Sequence, residues 1–88
     1  MQESEIIEVI RQKIGSTDCN IWTIGITDDP ERRKADHDRQ DENTKHWKDW
    51  KADTETIARN VEKHFLDKGM NGGTGGGDHA APTFVYVF

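Results

Sequence analysis

The sequence predicts an α+β fold, and three observations predict it. Two short runs, residues 20–27 and 83–88, are rich in branched and aromatic side chains, which suit a pleated, half-buried surface. Segments at about 3–14, 30–37 and 54–68 carry helical periodicity or helix-start signals. Glycines follow the first and third of these segments, where helices commonly stop. The expected architecture is a single domain, 1–88. A short antiparallel sheet of strands 20–27 and 83–88 is covered by the three helices, or is completed by a partner chain in a homodimer.

In residues 3–14, Ile6, Ile7, Ile10 and Ile14 recur at helical spacing, Val9 widens the stripe, and Gly15 follows as a stop. The first strand, with Ile21, Trp22, Ile24 and Ile26, contains Gly25; a glycine inside a strand marks a bulge or a close approach to the backbone. Asp29 is placed to cap the second helix, Pro30 suits its first turn, and Arg32, Arg33 and Lys34 follow. Residues 38–45 are almost entirely polar and are expected to be a mobile connection or a solvated extension of the helix. In the run His46-Trp47-Lys48-Asp49-Trp50 the two tryptophans are three apart, and at helical spacing they would share a face docked on the sheet. Asp53 is expected to cap the third helix, and Gly69 to end it.

The glycine-rich stretch 71–77 lacks the Lys-Ser/Thr of a phosphate-binding loop and precedes a strand rather than a helix, so it is expected to be a connector. The formal net charge is -5, which disfavours long-range attraction to nucleic acid but leaves room for a local basic patch. The single cysteine, Cys19, excludes an intramolecular disulfide framework and is expected to be a small packed side chain. His46, His64 and His79 have no metal-ligand spacing with Cys19 or with each other. No apolar run approaches the ~20 residues of a membrane span, so the expected setting is cytoplasmic, with no membrane partner.

Two charged residues stand out. On a helical wheel Ile57, Ala58, Val61, Phe65 and Leu66 share one arc, and Glu62 falls inside it. A carboxylate there must find a partner, hold a metal or act as an acid or base, because burying it alone is costly. Arg33 stands in the first turns after the strand, with a fixed charge and a fork of donors suited to phosphate or carboxylate.

The run TIGITDDPERRKADH resembles the segment around the second motif of the GIY-YIG nuclease family, with Thr23-Ile24-Gly25 at the motif and Arg33 at the matching distance beyond it. Ala58-x-x-x-Glu62 resembles the family's metal-binding Glu segment, and Asn71 a late Asn. The resemblance covers about residues 20–69. It implies metal-dependent phosphodiester cleavage of nucleic acid, with Glu62 holding Mg²⁺ or Mn²⁺ and Arg33 stabilising phosphate charge. His37, four residues after Arg33, matches a His that family members often carry, and Arg32, Lys34 and Trp22 would bind substrate. Thr23 replaces the second-motif Tyr, and a helix stands where the first-motif strand would precede residue 20. The C-terminal strand TFVYVF would take the missing strand's place beside residues 21–27, with Tyr86 supplying a phenol. The alternative is a catalytically inactive module of the same type, used for binding or oligomerisation.

Overall fold

The structure, a computed structural model, describes residues 1–72 and 81–88. The element order among them is α1 (Glu3–Ile14), a 3₁₀ turn (Cys19–Ile21), β1 (Thr23–Thr27), α2 (Pro30–Arg39), β2 (Lys48–Lys51), α3 (Glu55–Asp67), β3 (Asn71–Gly72) and β4 (Phe84–Val87). The class is α+β, as the sequence predicts. The sheet is not purely antiparallel: its order is β2-β4-β1-β3, and β3 runs parallel to β1. The expected pair does form antiparallel within the chain, with Gly25 opposite Tyr86 and Ile24 opposite Val87. β2 adds to the other side of β4, so the strand last in sequence is central in the sheet.

Strand alternation divides the molecule into two layers. Ile24, Val85 and Val87 face one side and join Ile6, Ile10 and Ile14 of α1 with Ala58, Val61 and Phe65 of α3 in the main core. Gly25 and Tyr86 face the other side, where α2 brings His37 against the ring of Tyr86.

Each helix has a local cause. α1 starts with a capping box between Gln2 and Glu5 and ends at Gly15, whose φ of 56° suits glycine. At the start of α2 the Asp29 side chain accepts the Arg32 N–H at 3.1 Å, and Pro30 occupies the first turn. Before it, the buried Thr27 hydroxyl accepts the Asp29 N–H at 3.0 Å and closes the turn out of β1. α3 is capped by Thr54, not Asp53 as expected: the Thr54 hydroxyl accepts the Ile57 N–H at 3.1 Å. The Asp53 carboxylate instead accepts from the Gln2 side chain at 2.7 Å, tying the start of α1 to the approach to α3.

Two further expectations are corrected. Lys48–Lys51 is a strand, so Trp47 and Trp50 do not share a face. Three residues apart means one side of a helix but opposite sides of a strand. Trp50 accordingly packs on the main core, whereas Trp47 stacks on Tyr86. Residues 38–45 are almost all exposed, and the expected solvated extension of the helix holds for the start of the run. The first two complete α2, and the N–H groups of Asp41 and Glu42 then return to the carbonyls of Asp38 and His37, each at 3.1 Å. Asp41 takes the left-handed conformation, φ 59°, that lets the chain turn back on the helix. Of the glycine-rich stretch, Asn71 and Gly72 form β3 instead of a connector. The rest of that stretch, and His79, lie outside the described residues.

Candidate functional site

Tyr86 is the centre of the site. It is fully buried, and its ring lies across Gly25 of the neighbouring strand. A Cβ at Gly25 would sit 2.9 Å from Cε2 of that ring and closer still to the hydroxyl end. The glycine marked in the sequence is therefore the floor on which the tyrosine lies. Trp47 covers the other side, its ring 4.4 Å from that of Tyr86 and nearly parallel, and Phe88 extends the stack.

Three side chains converge on Tyr86. His37, 8% exposed, places Nε2 3.1 Å from the hydroxyl. Arg33 lies one helical turn earlier on the same face of α2 and hydrogen-bonds the hydroxyl. Glu62 of α3 is close enough for its charge to act on the phenol. Burial pushes the Tyr86 pKa up; the hydrogen bond and charge of Arg33 pull it down, and Glu62 and Glu42 push it up again. The net effect is upward, so the phenol is protonated at neutral pH.

Glu62 is half-buried at the edge of the apolar arc. Ala58, Val61 and Phe65 are buried beside it, but Leu66 is 37% exposed, so the buried face is narrower than the helical wheel suggests. Burial raises the Glu62 pKa above the ordinary carboxylate range, and the positive charge of Arg59, one turn away, offsets part of that rise.

Glu42, which no sequence pattern singles out, is the residue the structure adds. The reversal after α2 lays its carboxylate against Nδ1 of His37, and the two are paired. A carboxylate only accepts, so Nδ1 carries a proton toward Glu42, while Nε2 and the Tyr86 hydroxyl share a hydrogen bond whose donor is set by the protonation of the ring. The contacts form one chain: Arg33 donates to Tyr86, Tyr86 and His37 share a hydrogen bond, and His37 donates to Glu42. The signal for this turn was hidden, because the left-handed position is filled by Asp41 and not by the usual glycine.

The three residues assigned to substrate do not gather at one point. Arg32 and Lys34 are exposed near the C-terminal end of β1, where Arg32 pairs with Asp28 at 2.9 Å. Trp22 precedes the other end of β1 and donates its indole N–H to the Thr17 hydroxyl at 2.8 Å. Asn71 donates its side-chain amide to the carbonyls of Asn20, at 2.8 Å, and Trp22, at 3.2 Å, a tie that holds the start of the strand. Among the described residues no group of three or more His, Cys, Asp or Glu is placed to hold a metal ion. None of the helices described is long and apolar enough to cross a membrane.

No family model, curated protein or solved structure matches the chain.

Proposed function

We propose that this is a divergent, circularly rearranged GIY-YIG-like domain that cleaves phosphodiester bonds in nucleic acid with a divalent cation, in a cytoplasmic setting. The observation that carries the reading is that Arg33 and His37 of α2 bond Tyr86 of β4 while the charge of Glu62, on α3, acts on the same phenol. The antiparallel pairing of β4 with β1 supports the rearrangement, because it puts the chain's one tyrosine beside the strand that bears the second-motif resemblance.

The chain's own groups divide the work. Arg33 offers fixed positive charge and a planar fork of donors to a phosphoryl group. The Tyr86 hydroxyl is enclosed, so the aromatic cover must open before an attacking water can lose its proton to that oxygen. Tyr86 then passes its own proton to Nε2 of a neutral His37, and Glu42 stabilises the resulting imidazolium. The oxygen–phosphorus bond to the leaving group breaks, and solvent supplies the proton to that oxygen. Glu62 is the residue that would hold the cation. A half-buried carboxylate whose burial disfavours its charged form gains from a cation beside it. One such ligand fits Mg²⁺ or Mn²⁺ bound mainly through water and substrate phosphate; it does not fit an all-protein cage. The cation, when bound, offsets charge developing on the phosphate oxygens.

The test is incubation of the protein with single- and double-stranded DNA and RNA in Mg²⁺ or Mn²⁺, beside Glu62→Ala and Arg33→Ala. Each substitution is expected to lower the rate by about 10²-fold or more. Cleavage that survives Glu62→Ala overturns the mechanism.

A second reading has its own observation. Tyr86 is 0% exposed, and Thr23 stands where the family's other tyrosine is expected. On this reading the hydrogen-bond chain is a buried polar spine that fixes α2 on the sheet, in a non-catalytic binding or oligomerisation module. It predicts no cleavage under any of those conditions, and Arg33→Ala then lowers stability alone.

A further inference from the structure

We propose that the hollow between the 3₁₀ turn and the loop joining α2 to β2 is a subsite for an unpaired nucleobase, which makes single-stranded nucleic acid the substrate class. This rests on the phosphodiester reading above and narrows it.

The hollow holds about 340 Å³ and is walled by Ile21, Trp22, Thr23, Asn43, His46 and Phe88. That volume lies at the lower end of the range for small-ligand sites, and the lining has their usual character: aromatic faces with a few polar groups. Ile21 is 66% exposed, an apolar side chain in water at the mouth of a hollow that already presents three rings.

Two of these rings, Trp22 and Phe88, are held before any ligand arrives. The Trp22 carbonyl accepts from the Asn71 backbone N–H at 2.9 Å, its indole N–H is bonded to Thr17, and the Lys13 ammonium lies 5.6 Å from the ring centroid. Phe88 is clasped to Thr23 by two backbone hydrogen bonds, at 2.7 and 3.0 Å. His46 faces Trp22 at 6.4 Å between centroids, tilted by 57° and so not closed onto it in a parallel stack. A rigid aromatic site costs less ordering on binding.

The hollow adjoins the site described above through Glu42 and Phe88. Glu42 contributes to its wall while pairing with His37, and the Phe88 ring lies 4.7 Å from the His37 ring. A base seated here would put a neighbouring phosphate near the Arg33–Tyr86–His37 chain. Electrostatics favour the same occupant. A protein of net charge -5 gains little from long-range attraction to phosphate, so its affinity must come from contacts that salt does not screen. Base stacking is such a contact, and a base locked in a duplex cannot offer its face to the hollow.

The experiment measures binding in EDTA, where no cleavage occurs, by fluorescence anisotropy of labelled strands. The probes are oligothymidylate, an abasic sugar–phosphate chain of equal length, and a duplex. Oligothymidylate is expected to bind more tightly than either of the others, with a shallow dependence on salt. Trp22→Leu and His46→Ala are each expected to weaken it about 5- to 150-fold while leaving the abasic chain unaffected. Because Trp22 also packs on the main core, the exposed His46 carries the test if Trp22→Leu fails to fold. Equal binding of oligothymidylate and the abasic chain, strong or weak, overturns the inference, as does undiminished binding by folded His46→Ala. Base-dependent binding without cleavage in Mg²⁺ or Mn²⁺ would keep this inference and defeat the catalytic reading. Cleavage with base-independent binding would do the reverse.

Discussion

Tyr86 is the chain's one tyrosine, so its ionisation can be followed without interference from another phenol. Burial raises its pKa and Arg33 opposes that rise. A spectrophotometric titration should therefore show tyrosinate forming only above the ordinary phenol range. Arg33→Ala should move the transition further up, and Glu42→Gln should move it down. The sign of the linked stability follows. A group that holds its proton more tightly when folded makes stability fall as pH rises, from the ordinary phenol value through the raised one. A Tyr86 that titrates in the ordinary range would mean that its hydroxyl is not enclosed as described. Glu62 was legible from its place in a helical arc and Arg33 from its place in the first turns after a strand, whereas His37 and Tyr86 entered only through the family resemblance. Glu42 was not legible. It lies in an unpatterned polar run, and only the reversal at Asp41 brings it to the histidine.

The elements around the site depend on close contact between β1 and β4. The Tyr86 ring lies on Gly25 with Trp47 above it, so no room remains for a methyl group at position 25. Gly25→Ala should destabilise the protein by about 1–3 kcal/mol, the usual cost of overpacking, measured by urea unfolding. The same substitution should disturb the titration of Tyr86. A neutral outcome would show that the ring has another place to go. The strand–turn–helix unit around Gly25 was readable because each signal is local: branched residues, the glycine, the Asp cap, the proline. The run from 46 to 50 was misread because two tryptophans three apart satisfy a helix without excluding a strand. What decided between them was the exposed pairing side of β4, which lies far away in sequence. β3 was hidden for the same reason, since two residues of Asn-Gly carry no strand pattern of their own and owe their conformation to β1.

At the scale of the whole molecule, two layers share one sheet. α1 and α3 build the main core on one side, while α2 holds a smaller aromatic and polar layer on the other. Glu62 belongs to a helix of the first layer and acts electrostatically on a tyrosine of the second, which links the two layers. Its pKa is raised in the folded chain, chiefly by burial. Folding thus favours its protonated form, and stability falls as pH rises from the ordinary carboxylate range through the raised value. Replacing it with a neutral isostere removes that cost at neutral pH. Solvent reaches the half-buried group, so the gain should be small, a rise in Tm of about 1–5 °C. The most direct measurement is therefore a pair of assays on Glu62→Gln at neutral pH, cleavage of single-stranded nucleic acid with Mg²⁺ or Mn²⁺ and thermal unfolding. The account predicts that cleavage by the parent protein is lost in the variant while its Tm is equal or higher. Cleavage undiminished in a folded Glu62→Gln would contradict it.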